Sequence, residues 1–192
     1  MGREYFFLAP RGVRWRKVAR GEMEGEPHKL HRTWTLTFKS PHKSRRMPDS
    51  RGWLNTVKPV AVITTVEELW GVVDAVRPPS RLAQNGDYCL FDAKCAPTWE
   101  DVHNAQGGKW SASFTRDEAA AFDAAWEQLV MAAVGEQWDS DALCGLVASA
   151  RRTEFRLAVW TTDARDTEGN ACFGETLQEV AGRAPSYSPH FA

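Results

Sequence analysis

Long apolar runs are absent from this sequence. No segment approaches the roughly 20 consecutive apolar residues that a membrane-spanning helix needs. The cluster Phe6-Phe7-Leu8 near the N-terminus is too short for the core of a signal peptide. A large excess of charge is absent too, because the formal net charge is −1. The sequence therefore predicts neither a membrane protein nor a polycation that coats nucleic acid, and any contact with nucleic acid must come from a local patch.

Cysteine is scarce and is not arranged for metal binding. The four cysteines contain no C-x-x-C pair, and no histidine pair follows them at zinc spacing. His28 and His31 are three residues apart, but no cysteine lies close in sequence to complete a site. We expect no metal and no cofactor. We also expect free thiols, which are typical of a protein of the cytoplasm, or of the cytoplasm and nucleus.

Signatures of catalysis are absent as well. The sequence has no P-loop, no H-E-x-x-H pair and no clustered carboxylates that resemble a two-metal site. Glu100 and Asp101 are adjacent, so in a strand they would point to opposite faces. We therefore expect a binding protein and not an enzyme.

Tryptophan, by contrast, is abundant. The core of one domain does not need nine tryptophans in 192 residues, and a chain of this length is expected to form one domain. Residues 1–27 keep no period of 2 or 3.6. We interpret them as an N-terminal extension, flexible or docked late, that precedes a single domain over residues 28–192.

The apolar pattern predicts an α+β fold. Strict alternation over Thr33–Phe38 is typical of a half-buried strand. Capping boxes at Thr65–Glu68 and Thr115–Glu118 open two helices, and a third, short helix is predicted over Gly174–Gly182. Strands joined by short loops or single helices favour an antiparallel sheet with the helices on one face.

Residues 142–151 are ambiguous between a helix and a strand. Their alanine content suits a helix, whereas the alternation of the following Phe155–Thr161 suits a hairpin with a short connection.

Two tryptophans lie in loop-like sequence, and one of them precedes a carboxylate. Trp53 follows a basic run, and Trp99 follows Pro97 and precedes Glu100. A tryptophan at the edge of the core is the ordinary interpretation of each. A carboxylate beside an indole, however, suits a flat ligand that stacks on the ring and donates paired N–H groups.

Cations and a third aromatic residue join this set on the sheet. Strand parity places Arg156 and Trp160 on one face of the last strand, with Arg151 across the hairpin turn. Lys109 lies on the face opposite Trp110. Aromatic faces bind bases and cations bind phosphates, so the combination suits a guanine nucleotide.

Several short segments resemble, in their order and spacing, the eukaryotic translation initiation factor 4E family of mRNA cap-binding proteins. The segments run from about His28 to Gly182: H-x-L-x-x-x-W at 28–34, T-V-E-E-L-W at 65–70, D-Y-C-L-F at 87–91, P-x-W-E-D at 97–101, G-G-K-W at 107–110, G-E at 135–136, C-G at 144–145 and A-V-W-T-T at 158–162. The resemblance implies a curved antiparallel sheet with about three helices on its convex face and a cap slot on its concave side.

The resemblance also implies a role for each candidate residue. Trp53 and Trp99 sandwich the 7-methylguanine base, whose positive charge makes the stacking a cation–π interaction. Glu100 accepts from the N1–H and N2–H₂ groups of the base. The remaining cap contacts come from Trp160 at the N7 methyl group and from cations at the triphosphate, namely Arg151, Arg156 and Lys109.

On the convex back, the resemblance implies a surface that binds a helical peptide. The peptide belongs to an initiation factor 4G-type scaffold or to a 4E-binding repressor. The matching positions here are His28, Val66, Trp70, Met131 and Gly135. Trp70 also lies in the apolar stripe of its helix, so partial burial is an equal alternative for it.

Departures from the family pattern leave two functions open. Lys29 stands where a proline is usual, and Glu127-Gln128 stands where an apolar residue followed by Glu is usual. The protein either recruits capped mRNA to the scaffold or is a repressor or storage paralogue that does not engage it. The long basic segment from Ser40 to Arg51 either reaches further nucleotides of a hypermethylated cap or is a solvated loop.

Overall fold

Seven antiparallel strands form one sheet in the computed structural model, which describes residues 26–40, 57–138 and 141–191. The order of strands across the sheet is β2-β1-β3-β5-β6-β4-β7. The strands are β1 (Lys29–Lys39), β2 (Val57–Thr65), β3 (Asp87–Asp92), β4 (Gly108–Thr115), β5 (Leu143–Ala150), β6 (Glu154–Thr161) and β7 (Ser186–Pro189).

The extension and one tryptophan of the predicted site fall outside this description. Residues 1–25 of the predicted extension, and residues 41–56 with Trp53 and most of the basic segment, lie outside the described residues. The roles predicted for them stay predictions.

Within the described residues, three α-helices cover one face of the sheet: α1 (Val66–Ala75), α2 (Ala119–Val134) and α3 (Thr167–Ala181). Both predicted capping boxes are present. The amide of Glu68 donates to Thr65 Oγ1 at 3.2 Å at the start of α1. The second box, between Thr115 and Glu118, opens a short 3₁₀ turn that leads into α2.

The third helix begins earlier than predicted. The sequence pattern predicts a start at Gly174, but α3 begins at Thr167 because Asp166 caps it, its carboxylate accepting from the amide of Gly169 at 2.9 Å. Gly182 ends the helix as predicted, with a left-handed φ of 65° that glycine adopts without steric cost.

The ambiguous residues form a strand. β5 pairs with β3 on one side and with β6 on the other, as the hairpin interpretation requires. Ala148 and Ala150 are fully buried against the helices. Small side chains there let the helix layer approach the sheet, so packing outweighs the helix preference of alanine.

Strand parity divides the side chains between two faces. On the convex face Trp34, Leu36 and Leu90 join Leu129 of α2 and Phe173 of α3 in the main core. The concave face carries no helix among the described residues and holds a smaller buried cluster of Cys89, Phe91 and Cys144. The predicted α+β sheet with helices on one side is confirmed.

Candidate functional site

The register of the strands sets out the concave face in rows that run across the sheet. One row places Trp160 of β6 directly opposite Lys109 of β4, with Phe91 of β3 two strands away. A second row, towards the β5–β6 turn, places Arg156 opposite Ser149 of β5. The prediction that Trp160, Arg156 and Lys109 share one face is therefore confirmed by the register.

Lys109 lies in a positive environment. Burial, and then the nearby charges of Arg156 and Arg151, lower the pKa of Lys109 below its ordinary value. Among the described residues, no carboxylate lies within salt-bridge distance of its ammonium group. A bound anion would relieve this repulsion, which is the electrostatic condition of a phosphate site.

Arg151 is held in place by a residue that the sequence analysis did not single out. Its guanidinium donates to Asp87 Oδ1 at 2.6 Å and to Ser149 Oγ at 3.2 Å. Asp87 is almost fully buried and also contacts Lys39 Nζ at 3.1 Å. The Arg151 side chain stays 33% exposed, so it can still donate to an anion while Asp87 fixes its position.

Arg156 contacts a carboxylate of its own strand. Its guanidinium pairs with Glu154 two residues earlier, and the Arg156 side chain is 46% exposed. Burial opposes ionisation of Glu154, but the bonds from Ser113 and Arg156 outweigh it and lower the pKa of Glu154. An anion at Arg156 must therefore compete with Glu154.

Trp99 and Glu100 lie on the outside of the loop between β3 and β4. Trp99 is 60% exposed and Glu100 is exposed as well. Trp99 is therefore not a core residue, and the alternative that it is a tryptophan at the edge of the core is excluded. An exposed indole beside an exposed carboxylate fits the stacking and acceptor roles predicted for them.

Asp101 and Asn104 hold this loop in one conformation. Asn104 is fully buried, and its amide donates to the carbonyls of Ala96 at 2.7 Å and Thr98 at 2.8 Å. Asp101 accepts from the amide of Ala96 at 3.1 Å and from His103 Nδ1 at 2.9 Å. The hydrogen bond to Asp101 raises the pKa of His103.

Neither of these positioning roles is predicted in the sequence analysis above. Asp101 is treated there only as the neighbour of Glu100, and Asn104 is assigned no role. Asp and Asn side chains commonly form hydrogen bonds with nearby backbone groups in loops. The spacing D-x-x-N after Trp-Glu is therefore a sequence signal of a loop held by side-chain hydrogen bonds.

Trp160 packs at the boundary between the small buried cluster and the open part of the concave face. Its ring meets Phe91 edge-to-face, with the ring centroids 5.5 Å apart and the planes at 76°. The residue is only partly buried, so part of the indole is available to a ligand. This arrangement fits a side chain that contacts a small apolar group.

A cavity of about 320 Å³ lies where the β3–β4 loop meets the sheet. Thr35, Thr37 and Phe91 line it from the sheet, and residues 93–97 and Asp101 line it from the loop. Its volume is within the range of small-molecule sites. This cavity therefore lies on the concave face, beside the loop that carries Trp99 and Glu100.

The residues predicted to bind a protein partner lie on the helical side. Val66 and Trp70 are partly exposed on α1, and Met131 and the exposed Gly135 lie at the end of α2. The exposed His28 is joined to α1, because its carbonyl accepts from the amide of Val66 at 2.9 Å. Trp70 is thus neither fully buried nor fully exposed.

In the part of the chain that the structure describes, no three His, Cys, Asp or Glu side chains are grouped as ligands of a metal ion. Within the same residues, no helix is both long and apolar enough to cross a membrane.

The chain matches the family model described as eukaryotic initiation factor 4E over residues 29–191. It is 36% identical over 170 residues to the eukaryotic translation initiation factor isoform 4E of Solanum lycopersicum, covering 88% of this chain and 82% of that protein. It is 37% identical over 155 residues to isoform 4E-2 of Zea mays, covering 80% of this chain and 69% of that protein.

Solved structures with this fold include two complexes from nematodes. Ascaris suum eIF4E-3 with an m2,2,7G cap gives a TM-score of 0.78 at 28% identity, covering 86% of this chain and 93% of that chain. C. elegans eIF4E-3 with the 4E-binding protein Mextli gives a TM-score of 0.77 at 29% identity, covering 85% of this chain and 94% of that chain. The similarity confirms the predicted single-domain architecture.

Proposed function

The chain belongs to the eukaryotic initiation factor 4E family, and from that premise we propose that it binds the 7-methylguanosine cap of mRNA on the concave face of its sheet. Membership in a family of initiation factors confirms the expectation that the protein is not an enzyme. The observation that carries the proposal is the gathering, on one face and its adjoining loop, of an exposed indole, an exposed carboxylate and three cations, of which Lys109 pairs with no carboxylate among the described residues.

Recognition of the base depends on its positive charge. In the proposal, Trp99 stacks on one face of 7-methylguanine and Trp53 on the other. Two indole faces stabilise a cationic base by cation–π interaction, about 2 kcal/mol or more in a desolvated site. Unmethylated guanine lacks the charge and therefore binds more weakly. Glu100 accepts from N1–H and N2–H₂ in a charge-assisted, bidentate pair.

In the proposal, the phosphates and the N7 methyl group of the cap contact side chains of the sheet. Trp160 contacts the N7 methyl group, and the triphosphate extends towards Lys109, Arg151 and Arg156. The lowered pKa of Lys109 supports this placement, because its cause is partly the two neighbouring arginines. The buried Asp87 supports it too, since it orients Arg151 without neutralising the whole cluster.

We further propose that the helical side binds a scaffold or repressor peptide, and that the protein acts in the cytoplasm. A family neighbour was solved with a 4E-binding protein, C. elegans eIF4E-3 with Mextli. Trp70, Val66 and Met131 each keep part of their apolar surface exposed on this side, and partly exposed apolar helical positions suit a helix-in-groove partner.

A repressor or storage paralogue is the second candidate function, favoured by Lys29 and Glu127-Gln128 at the predicted partner surface. A pull-down with an immobilised 4G-type scaffold peptide separates the two. Recovery of the wild type, with loss in Trp70→Ala, supports recruitment. Absence of recovery by a protein that still binds the cap supports the repressor or storage function.

A comparative titration tests cap binding. Intrinsic tryptophan fluorescence is expected to fall on addition of 7-methyl-GTP and to respond far less to GTP, because only the methylated base is cationic. Trp138→Phe is a control, since Trp138 packs against Phe173 and donates to Thr176 Oγ1 on the helical side. Equal affinities for the two nucleotides would contradict the proposal.

A further inference from the structure

The chain after β7 returns to the candidate site. β7 pairs with β4 up to the match of Pro189 with Gly108. The amide of His190 then donates to the carbonyl of Gly107 at 2.9 Å, at the end of the loop that carries Trp99. Gly107 and Gly108 lie against neighbouring chain too closely to carry side chains. His190 is therefore held at the site by its backbone.

The ring of His190 lies against the indole of Trp160. The two ring centroids are 4.2 Å apart, with the planes tilted by 45°. Phe91 meets the same indole at 5.5 Å. Trp160 is thus supported by two rings from two different parts of the chain, and the rest of its surface is left for a ligand.

The imidazole is uncharged at neutral pH. Burial, and then the charge of Lys109, lower the pKa of His190 to about 4. Its Nε2 atom is buried and has no hydrogen-bond partner among the described residues. A neutral ring can pack on the indole without adding positive charge next to a cationic base, whereas a protonated ring would oppose that base.

We propose that His190 is a positioning residue for the cap site: its ring holds Trp160 in the orientation that meets the N7 methyl group, and it thereby contributes to the preference for methylated over unmethylated guanine. The inference rests on the proposed function. No signal in the sequence pointed to His190, because the contact depends on the pairing of β7 with β4.

The test measures the ratio of the affinities for 7-methyl-GTP and GTP in variants of the full chain. His190→Ala is expected to lower this ratio about three- to tenfold, the range for loss of one aromatic contact. His190→Phe keeps a ring against Trp160 and is expected to retain the ratio within about twofold. An unchanged ratio in His190→Ala, or an equal loss in His190→Phe, overturns the proposal.

Two controls separate positioning from general damage. Tyr187→Phe removes the hydroxyl that contacts Thr161 Oγ1 at 3.0 Å, so it weakens the attachment of β7 without changing the ring on Trp160. It is expected to keep the ratio, and a loss equal to that of His190→Ala overturns the proposal. His31→Ala, at an exposed position of β1, is expected to match the wild type.

The same titrations distinguish two kinds of failure. If the wild type shows no preference for 7-methyl-GTP, the proposed function fails and His190 has no preference to support. If the wild type shows the preference and His190→Ala keeps it, only the role of His190 fails.

Discussion

Trp99 is the one tryptophan that is mostly exposed among those that the structure describes. Exposing a large indole forgoes the stabilisation that its burial would contribute, about 1.5–3 kcal/mol for a large apolar side chain. Its neighbours Asp101 and Asn104 fix the loop beneath it. A rigid loop that keeps an indole in solvent is consistent with a stacking surface for a ligand.

Replacing Trp99 is predicted to weaken cap binding without unfolding the protein. Trp99→Ala removes one of the two stacking faces and is expected to cost about 1–3 kcal/mol of binding free energy for 7-methyl-GTP. Val102→Ala is the matched control, since Val102 is an exposed apolar residue of the same loop. Titration calorimetry measures both, and an affinity of Trp99→Ala equal to that of the control would refute the stacking role.

Glu100 is predicted to recognise the base and not the phosphates. Glu100→Gln removes the charge and one of two acceptor oxygens, and is expected to cost about 1.5–3 kcal/mol of 7-methyl-GTP binding. Affinity for inorganic triphosphate is expected to stay unchanged. Glu175→Gln, at an exposed position of α3, is the control. Equal losses for both ligands would remove Glu100 from base recognition.

At the scale of elements, the β3–β4 loop behaves as a small folded unit because polar side chains satisfy its backbone. Asn104 bonds two carbonyls, and the carbonyls of Asp101 and Asn104 accept from the amides of Ala105 and Gly107. Buried polar groups of this kind are costly to leave unpaired. The loop can therefore present Trp99 and Glu100 with little loss of entropy on binding.

Loosening this loop is predicted to reduce both stability and affinity. Asn104→Ala removes two hydrogen bonds, to the partly buried carbonyls of Ala96 and Thr98, and is expected to cost about 1–3 kcal/mol in the free energy of unfolding. Its affinity for 7-methyl-GTP is expected to fall as well. Gln106→Ala is the control, because Gln106 is exposed in the same loop. Denaturant unfolding measures the stability of Asn104→Ala and Gln106→Ala, and titration measures their affinity for 7-methyl-GTP. An Asn104→Ala variant with unchanged stability and unchanged affinity would contradict the role of the loop.

The elements differ in how well the sequence predicts them. The alternation of β1 and the two capping boxes are local signals, and both were correct. The start of α3 was misplaced because its cap, Asp166, acts through a side chain before the apolar stripe begins. The sequence leaves β5 ambiguous because its alanines suit burial under the helices, and this burial depends on residues distant in sequence.

Two kinds of sequence signal predict candidate site residues: strand parity on the sheet, and an indole beside a carboxylate in the β3–β4 loop. Parity correctly places Trp160, Arg156 and Lys109 on one face. Asp87 and His190 were missed, because their roles arise from contacts between strands distant in sequence. Trp53 lies outside the described residues, so its role as the second stacking face stays a prediction.

At the scale of the whole molecule, charge is distributed unevenly. Although the formal net charge of the whole chain is −1, three cations cluster on the concave face, namely Lys109, Arg151 and Arg156. The helical side carries the positions predicted for a protein partner. Because the two proposed surfaces lie on opposite sides of the sheet, the proposed function predicts that capped RNA and a protein partner do not compete for one surface.

The cation cluster is predicted to make cap binding dependent on salt. Arg156→Ala removes one cation near the triphosphate and is expected to make the decline of 7-methyl-GTP affinity with salt less steep. Arg165→Ala is the control, because Arg165 is an exposed arginine that pairs with Asp163. Titrations over a range of salt concentrations measure the slopes. A slope of Arg156→Ala identical to that of the wild type would remove Arg156 from the phosphate site.

A crystal structure of the chain with 7-methyl-GTP is the most direct test of cap binding on the concave face. The base is expected between the rings of Trp53 and Trp99, with its N1–H and N2–H₂ groups on the Glu100 carboxylate and its phosphates at Lys109. A base bound elsewhere, or indoles that do not face each other across it, would contradict the proposed cap site.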